Sequence, residues 1–449
     1  MKSPTYYKQQ IEALKQIPVN ADNIRVLLSA KDFRLTLFNR IHNATQRIYL
    51  SALYIQDDDV GNQIMEALYE AKQRNPMLDV KLFVDFHRAQ RSLIGQKTKG
   101  GNNLMYRDMK EKYPIQIEVY GIPVKTREVF GVLHLKGFVF DNDLLYSGAS
   151  INNVYLHQKD QYRYDRYFLI NNKQLADTMI DFLDRYFANN SAPQLLDRQQ
   201  VLSAKELKLT IPRFIKELRE ATYQFDGGFP KNGQVGITPI SGFGRQKNHL
   251  NQTIHNLILS TTRQLVLLTP YFNLPHKITR DIDSLLKRGV KVTLVVGDKC
   301  ANDFFIPPDQ PFKKIGGLPY IYERNLRKFT KEHQTAIDEK LLTVRLWKDN
   351  NHTYHLKGIY CDDCYRMITG HNLNPRAWYL DIENALLIHD HSNQLKQQID
   401  REFEEIFKNT HEVKLYKDIQ KSKDYPKEVQ RFLAKLKKIK ADFFIRRIT

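Results

Sequence analysis

The chain has 449 residues, with 69 lysines and arginines against 50 aspartates and glutamates, and a formal net charge of +19. Hydrophobic residues make up 42% of the sequence, so the chain can bury a core and is not wholly disordered. At roughly 150 residues per domain, the length predicts two or three domains. The excess of positive charge predicts an anionic partner, which is nucleic acid, an anionic membrane surface or a phosphorylated substrate.

The cellular compartment is indicated by three simple features. No run of about 18 apolar residues is present, which argues against an integral membrane protein. The first residues, MKSPTYYKQQIEALKQ, contain no apolar core of a signal peptide, so we expect a cytoplasmic chain. The three cysteines, Cys300, Cys361 and Cys364, are too few for a disulfide framework and agree with that compartment.

The chain contains a long internal repeat. Segments 44–55 (ATQRIYLSALYI) and 261–272 (TTRQLVLLTPYF) both run from polar residues into a β-rich apolar stretch. A second apolar run follows each of them, at 79–86 and 289–297. Apolar residues at helical spacing flank each first strand, namely Leu37, Ile41, Ile64 and Leu68 in one copy and Ile254, Ile258, Ile278, Ile282 and Leu285 in the other. This alternation predicts an α/β fold with crossovers, built twice.

The repeat continues further along the chain and sets the predicted domains. Segment 134–152 matches 355–374, and DRYFLI at 165–170 matches ENALLI at 383–388. We therefore predict an N-terminal repeat domain at 1–195, a helix and connector at 196–240, a C-terminal repeat domain at 241–410 and a basic tail at 411–449.

Each copy carries a histidine and a lysine two residues apart, followed by an aspartate. The two sets are His134, Lys136 and Asp141 in the first copy, and His355, Lys357 and Asp362 in the second. A single histidine or lysine on a strand is usually structural. Strand packing does not require the same three residues and a following glycine in both repeats, so the duplication indicates chemistry.

These segments resemble the HKD motif of the phospholipase D superfamily. From DFRLTL near residue 32 through NHTYH (351–355), LYSGASIN and TGHNLNPRAWYLDIENALLIHD, the chain is similar to the phospholipase D-like phosphatidylserine synthases of Gram-negative bacteria. The resemblance implies two phospholipase D-like α/β repeats, with mixed sheets flanked by helices and pseudo-two-fold symmetry. It also implies transfer of a phosphatidyl group from CDP-diacylglycerol to L-serine, with release of CMP.

The residue types of the motif suit chemistry at phosphorus. Side chains alternate along a strand, so the histidine and lysine of each copy share one face, and we expect the two faces to meet. Lys136 and Lys357 then offset charge on phosphate oxygens. We expect His134 to attack phosphorus and form a covalent intermediate, and His355 to serve as acid and base. Because these four side chains replace the divalent cation of other phosphoryl-transfer sites, we expect no metal or other cofactor.

The motif aspartate is not expected to orient its histidine. Asp141 lies seven residues beyond His134, on the opposite face and about 23 Å away in a straight strand. We therefore assign Asp141 and its counterpart Asp362 to structural support at strand ends. The orienting carboxylates are sought on the next strand, where Asp165 and Glu383 align, and we expect each to accept a hydrogen bond from Nδ1 of the histidine in its own repeat. The alternative is a surface ion pair, since arginines flank Asp165.

Several polar side chains are candidate substrate contacts. They are Ser150, Asn152, Asn372 and Asn374 after the motif glycines, Arg88, Arg91 and Lys299 near strand ends, and Tyr54 and Tyr271 at the end of the first strand of each copy. The superfamily usually carries asparagine where Ser150 lies, so the donor in the first copy is left open. Turn stabilisation or core packing is the alternative for each. We expect the acidic run 57–59 to cap the following helix rather than bind a cation.

The C-terminal tail has the pattern of a basic amphipathic helix. Its apolar face consists of Val429, Phe432, Leu433, Leu436, Ile439 and Phe443, and lysines and arginines occupy most of the remainder. Such a helix lies on an anionic membrane surface, which predicts a chain peripherally associated with the inner face of the cytoplasmic membrane. The alternatives are a helix packed on the core, and contact with nucleic acid or the ribosome.

Two rival functions stay open on the sequence alone. One is another enzyme of the superfamily, such as a phospholipase, a cardiolipin-type synthase or a nuclease. The other is a non-catalytic basic protein that binds lipid or nucleic acid. Cardiolipin-type synthases usually carry N-terminal membrane helices, which this sequence lacks, and both motifs look complete, which argues against a decayed site. The sequence makes no prediction of oligomeric state.

Overall fold

A computed structural model of the chain describes residues 2–91 and 100–438. The helices are α1 (Pro4–Glu12), α2 (Ala30–Asn43), α3 (Asp59–Arg74), α4 (Phe86–Ala89), α5 (Asn103–Lys112), α6 (Lys173–Leu183), α7 (Thr210–Glu220), α8 (His249–Ser260), α9 (His276–Lys287), α10 (Leu318–Glu332), α11 (Gln334–Asp338), α12 (Pro375–Tyr379), α13 (Lys396–Lys408) and α14 (Lys427–Lys438). Within the described ranges, none of these helices is long and apolar enough to cross a bilayer.

The strands alternate with these helices along the chain. They are β1 (Ile17–Asn20), β2 (Ile24–Leu27), β3 (Arg47–Ser51), β4 (Asp79–Asp85), β5 (Glu118–Ile122), β6 (Gly137–Phe140), β7 (Asp143–Ser147), β8 (Arg163–Tyr164), β9 (Tyr167–Asn171), β10 (Gln194–Leu195), β11 (Gln234–Phe243), β12 (Gln264–Thr269), β13 (Lys291–Gly297), β14 (Leu342–Trp347), β15 (Thr353–Tyr354), β16 (Gly358–Cys361), β17 (Tyr365–Thr369), β18 (Ile382–His389) and β19 (Thr410–Glu412).

The chain forms two compact units, and their boundaries differ from those of the repeat. The first unit contains Lys15–Leu250 together with Tyr379–Leu387. The second contains the chain up to Leu14, Asn251–Trp378 and the chain from Ile388 onwards. The predicted connector at 196–240 holds helix α7 and most of strand β11, both within the first unit. The four predicted domains therefore stay a prediction made from the repeat.

The chain forms two large mixed sheets whose central five strands have the same order. In the first unit, β3, β4 and β5 are parallel, and β6 and β7 continue the sheet antiparallel from β3. In the second unit, β12, β13 and β14 are parallel, and β16 and β17 continue antiparallel from β12. The predicted α/β fold built twice is confirmed. Parallel neighbours need a crossover, and helices α3 and α9 supply it in the two copies.

The apolar residues at helical spacing form the helix–sheet core, as predicted. Leu37, Ile41, Ile64 and Leu68 are buried against the first sheet, and Ile254, Ile258, Ile278, Ile282 and Leu285 are buried in the second unit. Helix α3 begins where the acidic run predicts. The Asp58 side chain is its N-cap and accepts a hydrogen bond from Gly61 N–H at 3.0 Å, while Asp59 pairs with Lys159 at 2.7 Å.

The C-terminal helix packs on the protein rather than presenting an apolar face. Val429, Leu433 and Leu436 of α14 are buried in a cluster that includes Tyr320 and Ile321 of α10. The prediction that this face lies on a membrane is therefore wrong for the helix up to residue 438. An amphipathic pattern states only that one face is apolar, and here α10 covers it. Ile439 and Phe443 lie outside the described residues.

Candidate active site

The motif aspartates support the backbone at the opposite end of their strands. The Asp141 carboxylate accepts hydrogen bonds from the backbone N–H groups of Thr45, Gln46 and Arg47, at 2.7 to 3.0 Å. In the second unit Asp362 accepts the equivalent three bonds from residues 262–264, at 2.7 to 3.0 Å. Both aspartates have φ of +51°. Their geometry agrees with the structural role that we assigned to them.

The motif histidines and lysines lie just before their strands. His134 and Lys136 precede β6, which begins at Gly137, and His355 and Lys357 precede β16, which begins at Gly358. All four side chains are buried. The glycine that follows each lysine has φ of +127° or +155°, which a residue with a side chain rarely adopts. This backbone conformation explains why glycine follows the lysine in both copies.

Glu383 orients His134. Nδ1 of His134 lies 2.9 Å from both carboxylate oxygens of Glu383. A carboxylate only accepts, so Nδ1 carries the proton and Nε2 presents its lone pair. We predicted that Glu383 accepts a hydrogen bond from His355 and that Asp165 accepts one from His134. This assignment is wrong, because Glu383 contacts His134. The start of β18 runs beside the first motif, where His134 N–H donates to the Ile382 carbonyl at 3.0 Å.

Asp165 is buried in the short connection between β8 and β9. Its carboxylate accepts a hydrogen bond from the Arg166 N–H at 2.9 Å. It is not the group that holds Nδ1 of His134, because Glu383 occupies that position. The alignment of two repeats shows equivalent residues, but it does not show which histidine each carboxylate contacts.

Three buried polar side chains form hydrogen bonds with the backbone around His134, which lies outside any strand. Asp381 accepts from Val132 N–H at 2.9 Å, and Asp85 accepts from Leu133 N–H at 2.9 Å. Asn384 accepts from Lys136 N–H and donates to the Lys136 carbonyl, both at 2.8 Å. These three residues were not predicted from the sequence, because none belongs to the motif and each bonds to backbone atoms.

Asp85 has no counterpart in the second copy. Val80 and Val292 occupy equivalent positions in the two parallel ladders, so Asp85 aligns with Gly297. A Cβ atom at Gly297 would lie 3.3 Å from Cβ of Tyr354, the residue before His355. Burial raises the pKa of Asp85 to about 6, although its hydrogen bonds from Arg88 and Leu133 oppose the shift. In the first motif a buried carboxylate therefore bonds to the backbone just before the histidine, whereas the second motif has a glycine at the equivalent position.

The second motif histidine has different neighbouring side chains from the first. Nδ1 of His355 contacts Nζ of Lys357. The ring of Tyr271 meets that of His355 edge-on at 6.0 Å, and the Tyr271 hydroxyl donates to Asp303 at 2.7 Å. Tyr271 therefore lies beside the second motif.

The polar residues after the motifs divide into two groups. Nζ of Lys136 lies 3.3 Å from the Ala149 carbonyl and 3.5 Å from Oγ of Ser150, so Ser150 adjoins the motif. Asn152 and Asn374 instead use their side-chain oxygens to cap turns, accepting from Tyr155 N–H and Ala377 N–H at 2.9 Å. These two asparagines match the turn-stabilising alternative.

Asn372 and Tyr54 occupy intermediate positions. The Asn372 backbone carbonyl accepts from Thr269 at 2.8 Å, and its side-chain oxygen is buried without a hydrogen-bond partner among the described residues. Tyr54 is buried, and its hydroxyl accepts from Asn152 at 3.3 Å.

The basic candidates near strand ends are engaged within the protein. The Arg88 guanidinium lies 4.9 Å above the Tyr54 ring. Arg91 pairs with Glu128 at 2.7 Å, and Lys299 pairs with Glu323 at 3.1 Å. Arg91 and Lys299 therefore already have carboxylate partners, which weakens the prediction that they bind pyrophosphate or the serine carboxylate.

The chain resembles known proteins over nearly all of its length. A family model described as "Cardiolipin synthase, PLD-like domain" matches residues 37–187 and 254–407. The CDP-diacylglycerol–serine O-phosphatidyltransferase PssA of Escherichia coli K12 is 46% identical over 443 residues, which cover 98% of each chain. The CDP-diacylglycerol–serine O-phosphatidyltransferase of Haemophilus influenzae is 44% identical over 445 residues, again 98% of each chain.

A solved structure agrees with these relatives. The crystal structure of the phosphatidylserine synthase of Haemophilus influenzae Rd KW20 matches with a TM-score of 0.97 and 43% identity, and covers 100% of both chains. Two mixed sheets with the same central strand order, each with an HKD motif, define this chain as a phospholipase D-like protein. Within that class, the chain belongs to the family of CDP-diacylglycerol–serine O-phosphatidyltransferases.

Proposed function

We propose that this chain transfers the phosphatidyl group of CDP-diacylglycerol to the hydroxyl of L-serine, giving phosphatidylserine and CMP. The observation that carries the proposal is the match over 98% of the chain to enzymes with that name, with both motifs complete. A more distant relative of Schizosaccharomyces pombe, 24% identical, bears the name of a transferase from CDP-diacylglycerol to glycerol-3-phosphate. The acceptor is therefore the feature that the experiment must test.

In the first half-reaction His134 is the nucleophile. Glu383 keeps the proton on Nδ1, so the lone pair of Nε2 attacks the phosphorus that carries diacylglycerol. A P–N bond forms and the P–O bond to CMP breaks, while the imidazolium form of His355 donates a proton to the departing oxygen and becomes neutral imidazole. The positive charge that develops on the His134 ring is stabilised by the Glu383 carboxylate.

In the second half-reaction serine is the nucleophile. His355, now without its proton, accepts the proton of the serine hydroxyl as that oxygen attacks phosphorus. The P–N bond breaks and returns Nε2 of His134 with its lone pair. Lys136 and Lys357 stabilise negative charge on the non-bridging phosphate oxygens in both steps. The Ser150 hydroxyl, next to Nζ of Lys136, is the candidate polar contact in the first copy.

We also propose a peripheral association with the inner face of the cytoplasmic membrane, because one substrate is a lipid. The net charge of +19 favours an anionic surface. The apolar face of α14 is buried, so this helix contributes only its exposed lysines and arginines. Nucleic acid or the ribosome is the second candidate partner for the same charge, and competition by RNA for vesicle binding distinguishes the two.

The test is release of CMP from CDP-diacylglycerol in detergent mixed micelles. We expect release to depend on L-serine and to produce phosphatidylserine, with water and glycerol-3-phosphate as poor acceptors. Without serine, labelled CMP should exchange into CDP-diacylglycerol, and an acid-labile label should appear on the protein. Activity should persist in EDTA. If glycerol-3-phosphate is the better acceptor, the proposed acceptor substrate is wrong. If CMP release depends on serine but neither CMP exchange nor a labelled protein is found, only the covalent intermediate is contradicted.

A further inference from the structure

An exposed apolar tip lies directly before the first motif. Val129 and Phe130 end a short 3-10 turn and are 39% and 46% exposed. The next ten residues, 131–140, are all buried and include His134. The chain thus passes from an apolar tip at the surface into the motif without an intervening exposed segment.

The tip lies close to His134 because only a short stretch of chain connects them. His134 is the fourth residue after Phe130, so their Cα atoms are at most about 14 Å apart. The polar headgroup layer on each side of a bilayer is roughly 5–8 Å thick. A tip that reaches the hydrocarbon boundary therefore holds His134 near the depth of lipid phosphate groups.

A basic cluster surrounds the base of the tip, formed by Lys125, Arg127, Arg219 and Arg245. Cγ of Lys125 lies 3.1 Å from the position that a Cβ of Gly131 would occupy, and its ammonium is 4.7 Å above the Phe243 ring. Burial and the neighbouring Arg219 lower the pKa of Lys125.

Arg245 is connected to the base of the tip through Tyr379 and Leu380. Its guanidinium lies 4.8 Å above the Tyr379 ring, and the adjacent carbonyl of Leu380 is 2.3 Å from the position of a Gly131 Cβ.

Within residues 2–91 and 100–438, no carboxylate neutralises the charge of this surface. Among the described residues, none of the four basic side chains forms an ion pair with a carboxylate. The one acidic residue of the turn, Glu128, is paired with Arg91 at 2.7 Å. An apolar tip beside cations that have no carboxylate partner in the described part of the chain complements an anionic bilayer, which offers hydrocarbon below a negatively charged surface.

We propose that the Val129–Phe130 tip and the basic cluster are the surface with which this chain docks on an anionic phospholipid bilayer. The proposal rests on the proposed function, because it is the lipid substrate that requires the dock. It assigns the membrane contact to the edge of the first motif, and not to the apolar face of α14, which the protein already covers.

The test compares a tip variant with a matched control. The variant is Val129→Ser/Phe130→Ser, and the control is Phe229→Ser, because Phe229 is 92% exposed in the same unit but lies outside the tip. Binding is measured by flotation with vesicles of phosphatidylcholine and phosphatidylglycerol, and with vesicles of phosphatidylcholine alone. Serine-dependent CMP release is measured on the same vesicles carrying CDP-diacylglycerol, and in detergent mixed micelles.

We expect the tip variant to bind anionic vesicles about tenfold more weakly than the parent chain, with an equal fall in the ratio of vesicle to micelle activity. The Phe229→Ser control should stay within about twofold on both measures. Replacing Lys125 and Arg219 by glutamine should reduce binding to anionic vesicles only. The proposal is overturned if the tip variant binds like the parent chain, or if the control loses as much.

The outcome is separable from the proposed function. A parent chain that releases no CMP in mixed micelles contradicts the proposed function, whatever its vesicle binding. A parent chain that is active in micelles, with a tip variant that binds vesicles normally, contradicts the dock alone. If RNA competes with vesicles and the tip variant loses RNA binding equally, the surface is a general polyanion site and the proposed bilayer dock is wrong.

Discussion

Nδ1 of His134 faces both carboxylate oxygens of Glu383 at 2.9 Å, although the two residues come from different copies of the repeat. The bond fixes the imidazole in the tautomer that a nucleophile needs. Nδ1 of His355 instead contacts Nζ of Lys357. The two motifs therefore have the same residues but different hydrogen-bonding partners.

Glu383→Gln should lower kcat by about 10²–10⁴-fold with a much smaller change in KM, because a glutamine no longer selects the Nδ1–H tautomer or stabilises the charged ring. Serine-dependent CMP release measures the effect. Glu402→Gln is the matched control, since Glu402 is also buried and accepts a hydrogen bond from Tyr360. An E383Q enzyme with at least half of the parent rate would contradict the role of Glu383.

His134→Ala and His355→Ala should both abolish turnover but should differ in the covalent step. The His134→Ala chain lacks the attacking nitrogen and should form no acid-labile adduct with CDP-diacylglycerol. The His355→Ala chain keeps the Glu383-oriented nucleophile and should form the adduct slowly, with phosphatidyl transfer to serine blocked. Trapping of labelled lipid on the protein distinguishes them. An adduct on His134→Ala would reverse the two roles.

Asp85 predicts a pH-dependent difference in stability. Burial raises its pKa from 3.8 to about 6, so the folded state binds the proton more tightly than the unfolded state. The ionised form is penalised, so stability falls as pH rises from about 4 to about 6 and is level above that. From about pH 7 to pH 5, the parent chain should gain about 1 kcal/mol relative to Asp85→Asn.

The measurement for Asp85 is denaturant unfolding of both chains at the two pH values. Asp390→Asn serves as the control, because Asp390 is a buried aspartate of the other unit that pairs with Arg366 at 2.8 Å. If the parent chain and Asp85→Asn show the same pH dependence, the raised pKa of Asp85 is contradicted.

Asp141→Ala should lower the stability of the protein but should have little effect on kcat. Three backbone N–H groups lose their acceptor, so we expect a loss of about 1–3 kcal/mol in the free energy of unfolding. Burial opposes the shift, but the hydrogen bonds from residues 45–47 outweigh it and lower the pKa of Asp141. The stabilising effect is therefore present above about pH 4 and is lost as pH falls through the lowered pKa. A loss of kcat without a loss of stability would make Asp141 a catalytic residue.

Leu433→Ala distinguishes a packed helix from a membrane anchor. Leu433 is buried in the cluster with Tyr320 and Ile321, so its truncation should reduce the free energy of unfolding by about 2–4 kcal/mol in the absence of lipid. The exposed Lys435→Ala on the same helix should change it by less than about 0.5 kcal/mol. Unfolding without vesicles is the measurement, and equal stability of the two variants would contradict the packing.

Local patterns predicted a large part of the fold. The spacing of Ile64 and Leu68 depends on one helix alone, and the same apolar periodicity appears in both copies, so helices and strands were predictable. The structural role of Asp141 followed from side-chain parity within one short segment. The Asp58 cap followed from its position before an apolar helix.

What the sequence did not predict depends on contacts between distant segments. Glu383 was found as a candidate but was assigned to the wrong histidine, because alignment of copies assumes that each copy supplies its own partners. Asp85 and Asn384 act on backbone atoms, so no motif marks them. The apolar face of α14 was visible in the sequence, but the identity of the surface that covers it was not.

The placement of Tyr379–Leu387 within the first unit has a consequence for how this enzyme can be divided. A gene fragment that ends after Leu250 encodes His134 without the carboxylate that sets its proton. The duplicated halves are thus not autonomous modules, and a split or circularly permuted version should recover the nucleophile only if the nine residues from Tyr379 are supplied with it.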